Sequence, residues 1–460
     1  MKNNTSQYER LRGKYPEFIY EGYDFRENGD TLEISYNFRI PGLTRFCPTW
    51  TLAFADSRQR FLSGQCLDEL VFSLGMTELV SYWKTCCPPR VRVEPRTMTT
   101  AQKTWWKKLY RKGLGEYFYK NGIFPGDDFI DIASPSTVPA PVLAGQRGNS
   151  SAGLPKVLIP VGGGKDSAVT LELLRGHAER YSFVVNPRKA TDDTIAAGGI
   201  QPGNVIVARR TLDKNMLALN EQGFLNGHTP FSAIVAFSSV LAGYINGLDF
   251  VALSNESSAN ESTVADSDVN HQYSKSFEFE DDFRQYEREY IGSGVEYFSL
   301  LRPLSELQIA RLFARYGEYH AIFRSCNAAS KLDQWCGSCP KCLFVYIILS
   351  PFLDDAALVS IFQKNLFEDI RLKGMLDELA GFTPEKPFEC VGSRSEVRAA
   401  LDMVLAGYDI DSPERDMPPL LAHYRKKRGN NPQNTERALM GFDARNAVPP
   451  RFQELLLIGG

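Results

Sequence analysis

With 460 residues the chain is long for one domain, and two or three are expected. Charged residues make up 23 % and hydrophobic ones 43 %, the ordinary balance of a soluble globular protein with enough apolar residues for a large core. The formal net charge is −3 with no long basic block, which argues against nucleic acid as the main partner.

In chain order, Met1 to Gly13 is polar and lacks an apolar segment ahead of a cleavage site. No later apolar run approaches the ~20 residues that span a bilayer, so no membrane partner is expected and the cytoplasm is the expected compartment. "TLEISYNFRI" (31–40) alternates strictly, with Leu32, Ile34, Tyr36, Phe38 and Ile40 on one face, as in a half-buried strand. "TWTLAFAD" and "VRVEP" read as further strands, and 66–84 and 101–120 as helices. Residues 1–133 are therefore expected to form an N-terminal α+β domain, and the Pro-, Ser- and Gly-rich 134–155 a linker. From Lys156 short apolar runs alternate with helical patterns. "KVLIPV", "SFVVN", "NVIVAR", "DFVAL" and "YFSLL" are the strands; helices follow Asp166 and cover Pro230–Asn246 and Leu304–Tyr316. That alternation argues for an α/β fold with a doubly wound parallel sheet over 156–350. Residues 351–460 read as mainly helical, with Ser393 and Glu396 in capping-box spacing and "HYRKKRGNNPQNTER" as solvated surface. No internal repeat occurs.

The densest chemical signal is "KVLIPVGGGKDSAVTLELLR" (156–175), a strand, a glycine turn and a helix. This order points backbone N–H groups and a helix N-terminus at one spot, which suits phosphate; the plainer reading is a tight turn that needs positive φ. The Walker A pattern fails because Asp166 follows Lys165 and Ile159 stands where its first glycine belongs. The dinucleotide fingerprint fails for want of a third glycine at the right step. Gly162, Gly163, Gly164, Lys165, Asp166 and Ser167 are thus candidate nucleotide-binding residues.

Nine cysteines are present, and four fall in "SCNAASKLDQWCGSCPKC". Cys326, Cys336, Cys339 and Cys342, within 326–342, have the spacing of a closed tetrahedral zinc site that holds structure and does no chemistry. Buried or redox cysteines, or an iron–sulfur cluster, are the alternatives.

Two polar runs, "SNESSANES" (254–262) and "NHQYSKSFEFEDDF" (270–283), lie between these motifs. The first follows a strand at its carboxyl end, where ligands of such sheets bind. Asn255, Glu256, Asn260, Asn270 and Glu278 are candidate substrate ligands. His271 is the first candidate for proton transfer because imidazole titrates near neutrality, with Tyr273, Lys275 and Glu278 beside it. Cys390 reads as a buried structural thiol. Trp105, Trp106, Tyr110 and Tyr117 could stack on a base, but their helical spacing fits a core.

"GGKDS" resembles the loop of the PP-loop ATP pyrophosphatases, with Gly162 where that pattern has its first serine. The resemblance implies ATP cleaved between the α and β phosphates, with Asp166 holding Mg²⁺ beside the leaving diphosphate. The order of glycine loop, apolar helix, "RPLSEL" and cysteine cluster over 155–345 is similar to the cyano-deazaguanine synthases, which also activate a carboxylate with ATP. With "LEISYNFRIPGL" and "PFECVG" added, the chain resembles the bacterial UDP-N-acetylmuramoyl-L-alanyl-L-glutamate epimerases of peptidoglycan synthesis. That resemblance implies an isomerase using ATP and Mg²⁺, with structural Zn²⁺ and a UDP-N-acetylmuramoyl-dipeptide as substrate. The alternatives are another carboxylate-adenylating enzyme, such as an amide ligase or a deazaguanine synthase, and a nucleotide sensor without catalysis.

Overall fold

The computed structural model describes residues 3–55, 64–136, 153–408, 417–429, 433 and 435–458. Most of the expected linker, and part of "HYRKKRGNNPQNTER", lie outside the described residues. Among the described residues there are eleven strands: β1 Glu17–Asn28, β2 Thr31–Ile40, β3 Thr44–Phe46, β4 Thr49–Ala53, β5 Arg90–Val93, β6 Asp131–Ala133, β7 Lys156–Pro160, β8 Glu179–Val185, β9 Val205–Thr211, β10 Phe250–Leu253 and β11 Glu296–Ser299. All join one mostly parallel sheet in the order β11-β10-β7-β8-β9-β4-β2-β1-β5-β6, with β3 on β2.

The half from β11 to β9 is parallel throughout. Read from β9 to β11, its strands stand third, second, first, fourth and fifth in chain order. The winding therefore reverses between β7 and β10, where a crevice opens beyond the carboxyl ends. Both faces are covered. Leu158 faces one core with Phe183 and Val251, while Val157 and Ile159 face the other with Val184 and Ala252. The apolar helix expected over 230–246 is Phe231–Ile245, and it is buried against the helix Gln65–Trp83.

The other half of the sheet joins through β4, which pairs antiparallel with β9 (Leu52 opposite Ala208). The alternation of 31–40 appears in β2 as five buried and five half-buried residues in strict turn. The long strand β1 escapes a period-two reading because its register shifts between Tyr20 and Gly22. The helix expected over 101–120 is two, Thr100–Gly113 and Gly115–Asn121. At the break, a Cβ on Gly113 would stand 2.9 Å from Pro230, so close packing holds that position to glycine. Trp106, Tyr110 and Tyr117 are fully buried there, which settles them as core. After residue 350 the described residues form helices that close the second core. No described helix is long and apolar enough to cross a membrane.

Candidate functional site

Val161 extends the ladder of β7 by donating to the carbonyl of Phe183 (2.8 Å), and the glycines follow. Gly163 has φ +83°, and a Cβ there would lie 3.0 Å from the carbonyl carbon of Ala190 and 3.1 Å from the nitrogen of Thr191. Both conformation and space exclude a side chain. Gly164 is extended and begins the helix Lys165–Leu173 without a side-chain cap, which leaves the first N–H groups for a ligand. A cleft of about 460 Å³ opens here at the switch point, lined by Gly162, Gly164, Asp166 and Ser167 from this loop.

Lys165 faces away from the cleft. It is buried and paired with Asp166 and Glu306. Burial alone would discharge this ammonium, but the two carboxylates more than offset it and raise its pKa. Burial likewise pushes the Asp166 carboxyl up, and Lys165 with Lys341 more than offsets that, so Asp166 is held below the usual range. Glu306 goes the other way, raised mainly by burial. Lys165, a candidate nucleotide-binding residue by sequence, is thus engaged by two acidic side chains off the cleft wall. The cations on the cleft wall are Arg188, Lys275, Arg324 and Lys341.

"RPLSEL" explains how Glu306 arrives. Ser305 and Gln308 form a capping box that starts the helix Glu306–Ala314. Glu396 accepts from the backbone N–H of Glu306 (2.7 Å) and closes its own capping box with Ser393. Arg302 is completely buried. It pairs with Glu280 (2.9 Å) and donates to the carbonyls of Glu256 (2.6 Å) and Lys275. One guanidinium thereby ties both polar runs to the sheet.

The polar runs divide between two places. Asn255 and Lys275 line the cleft, beside Ser254 at the end of β10. Glu256 is buried and acts on Lys275 through charge. Asn260, Asn270, Tyr273 and Glu278 line a separate hollow of about 410 Å³. Glu278 is engaged there by Lys108 (2.9 Å) and Lys112 (2.6 Å). Asn260 and Asn270 spend hydrogen bonds on Phe277 and Ala259, holding the loop's own shape. These four, candidate substrate or proton-transfer residues by sequence, therefore line a hollow separate from the cleft at the glycine loop.

His271 sits behind the cleft wall rather than on it. Its Nδ1 meets Glu116 Oε2 at 2.6 Å, and its Nε2 faces Cys390 Sγ at 3.9 Å. His228 approaches the same carboxylate at 3.2 Å. Burial pulls His271 down, but Cys390 and Glu116 more than offset it and raise its pKa to about 9. Cys390, expected to be buried, is only half-buried and lines the cleft itself. Burial would raise the thiol; Lys275, His271 and Lys341 more than offset that and lower it to about 6. Glu116, Glu306 and Lys341 were missed in the sequence. Lys341, inside "CPKC", and Glu306, inside "RPLSEL", carried a local hint; Glu116 carried none.

The Sγ atoms of Cys326, Cys336, Cys339 and Cys342 lie within 4.8 Å of one another, with near pairs at 3.5, 3.6 and 3.9 Å. Four thiolates around zinc at ~2.3 Å stand roughly 3.8 Å apart, so the cluster fits such an ion. Cys326 also lines the cleft, which links the cluster to the site's shape.

Comparison with known proteins agrees over most of the chain. Residues 9–300 match the MurL N-terminal domain and residues 322–438 the MurL C-terminal domain. A protein of Xanthomonas oryzae pv. oryzae is 35 % identical over 387 residues, 82 % of each chain. One from Salinispora tropica is 37 % identical over 404 residues, 86 % of each chain. One from a Micromonospora species is 38 % identical over 332 residues, 71 % of this chain and 72 % of its own. All three are named UDP-N-acetyl-alpha-D-muramoyl-L-alanyl-L-glutamate epimerase. No solved structure matches. The chain belongs to the MurL family.

Proposed function

We propose that this protein is an ATP-dependent epimerase that inverts the terminal L-glutamate of UDP-N-acetylmuramoyl-L-Ala-L-Glu through an acyl-adenylate, releasing AMP and diphosphate. The observation that carries the reading is the cleft at the switch point. It places the glycine loop, a carboxylate held ionised and two lysines around one volume.

The chemistry needs such a device. The α-nitrogen of a peptide-bound glutamate is acylated, so it cannot form a Schiff base. Taking the α-proton beside a free carboxylate would place two negative charges on neighbouring atoms. Adenylation removes the carboxylate charge and makes the α-proton far more acidic. The backbone N–H groups around Gly164 would receive the phosphates. Lys275 and Lys341 would neutralise the incoming carboxylate and the developing charge. Phe183, Val185, Phe231 and Val235 supply an apolar wall suited to the adenine face. Asp166 is the carboxylate on the wall and would hold Mg²⁺, which neutralises the leaving diphosphate. The PP-loop character of the fold, and the cytoplasmic setting in which the UDP-linked peptide is met, belong to the same proposal.

The test uses the purified protein with ATP, Mg²⁺ and the UDP-linked dipeptide in deuterated water. AMP release with inversion and deuterium at the glutamate α-carbon is the expected result. AMP without exchange would indicate a carboxylate-activating ligase instead. No AMP with any carboxylate would refute adenylation.

A further inference from the structure

We propose that Cys390 is the base that takes the glutamate α-proton, with His271 and Glu116 as positioning residues behind it. The proposal rests on the epimerase reading above and supplies the proton-transfer group that reading lacks.

Three segments far apart in the chain converge to build this array. Glu116 comes from the short helix Gly115–Asn121, His271 from the loop after β10, and Cys390 from the segment before the helix Arg394–Leu405. The imidazole uses both nitrogens. Nδ1 is hydrogen-bonded to Glu116 at 2.6 Å, and Nε2 is aimed at Cys390 Sγ at 3.9 Å. A carboxylate that orients an imidazole, which in turn faces a thiol, is the arrangement that activates a cysteine. Lys341 Nζ donates to the backbone carbonyl of Cys390 and anchors it. Cys390 and Lys275 share the cleft wall with Gly162 and Asp166, whereas His271 does not reach it. The thiol is therefore the member of the array that can touch a substrate activated at the loop.

Electrostatics agree with the geometry. Lys275, His271 and Lys341 face the sulfur as cations and lower its pKa to about 6. Glu116 and His228 stand behind the ring, Glu256 and Asp166 act on Lys275, and Glu389 adjoins the thiol in sequence. The site thus holds a thiolate near neutrality, where a base of this strength works best. In the step, an S–H bond forms as the Cα–H bond breaks. The electron pair passes into the adenylated carbonyl as an enolate. A solvent proton returns to the opposite face of the α-carbon, and water cleaves the mixed anhydride to free the carboxylate and AMP.

Two readouts test this. The first is deuterium gained at the glutamate α-carbon per AMP released, in wild type, Cys390→Ala and the near-isosteric Cys390→Ser. Exchange per AMP should fall by roughly 100-fold or more in both variants. Exchange within about threefold of wild type in either would overturn the proposal, whatever happens to ATP. Exchange that occurs in the wild type without AMP, and is lost in Cys390→Ser, would refute adenylation while keeping the thiolate base. The second readout is alkylation of Cys390 by iodoacetamide against pH, followed by peptide mass. The midpoint should lie near 6 in wild type and move up by more than one unit in His271→Asn. A role of His271 in folding alone would not move it. A wild-type midpoint at the ordinary thiol value of ~8.5 would overturn the proposal.

Discussion

The two walls of the cleft are built on different plans. The glycine-loop wall is local. A strand, three glycines and a helix N-terminus follow one another within a few residues, and the backbone itself makes the site. The opposite wall, with Lys275, Lys341 and Cys390, is assembled from three separate segments of the chain and held by buried charge. A backbone site tolerates exchange of side chains that only line it. A side-chain site fails when any buried partner is removed, because the charge left behind has no water to turn to.

The largest effect should therefore come from the second wall. Arg302→Met leaves Glu280 buried without its partner and frees the carbonyls of Glu256 and Lys275. A loss of about 3–5 kcal/mol is expected in urea unfolding. A loss below about 1 kcal/mol would show that the polar runs are held by something other than this guanidinium. On the loop wall, Gly163→Ala combines a φ of +83° with a Cβ 3.0 Å from the backbone of Ala190. About 1–3 kcal/mol should be lost. The sharper readout is AMP formation, which should fall together with ATP affinity because the loop's N–H groups shift.

The contrast also accounts for what the sequence discloses. Strict alternation in 31–40 and the run of strands after Lys156 are period signals, and they survive into β2 and the parallel half of the sheet. The glycine loop and the four cysteines are spacing signals, and each closes within a short stretch. The pairing of β4 with β9, which makes one sheet of two regions, leaves no such trace, because strand pairing is decided by distant partners. The same holds for the second wall. His271 stood in the densest polar run, yet its placement depends on Glu116 and Cys390, each more than a hundred residues away. Tyr273 and Glu278 stood in that run too, and the turn of the chain sends them to another hollow. Proximity in sequence located the neighbourhood of the site but not which side chains enter it.

The ionised side of the second wall should show in the pH dependence of stability. His271 has a folded pKa of about 9, above its ordinary ~6.5. A raised value favours the folded state fully below the ordinary pKa, and the gain disappears as pH rises through the folded one. Glu116→Gln removes the carboxylate that helps to hold the imidazolium. Wild type should exceed this variant by about 1–2 kcal/mol at pH 6.5, with the gap narrowing by pH 9.5. Urea midpoints at the two values measure it. A gap constant across that range would mean that Glu116 acts by packing rather than by charge.

The smallest effect is expected one residue from the most sensitive glycine. A Cβ on Gly162 would meet nothing within 4 Å, and its φ is not in the left-handed region. This is also the position where the PP-loop pattern carries serine. Gly162→Ser should change stability by no more than about 0.5 kcal/mol, as surface substitutions do. Its hydroxyl would point into a cleft already lined by Ser167 and Asp166, where it can add one hydrogen bond to a phosphate oxygen. A single added bond to a charged group is worth roughly 1.5–3 kcal/mol at most, so the KM for ATP should fall or hold while stability holds. A large loss of either would mean that backbone freedom at Gly162, and not only at Gly163, shapes the loop. The backbone plan of this wall would then be as intolerant as the side-chain plan opposite it.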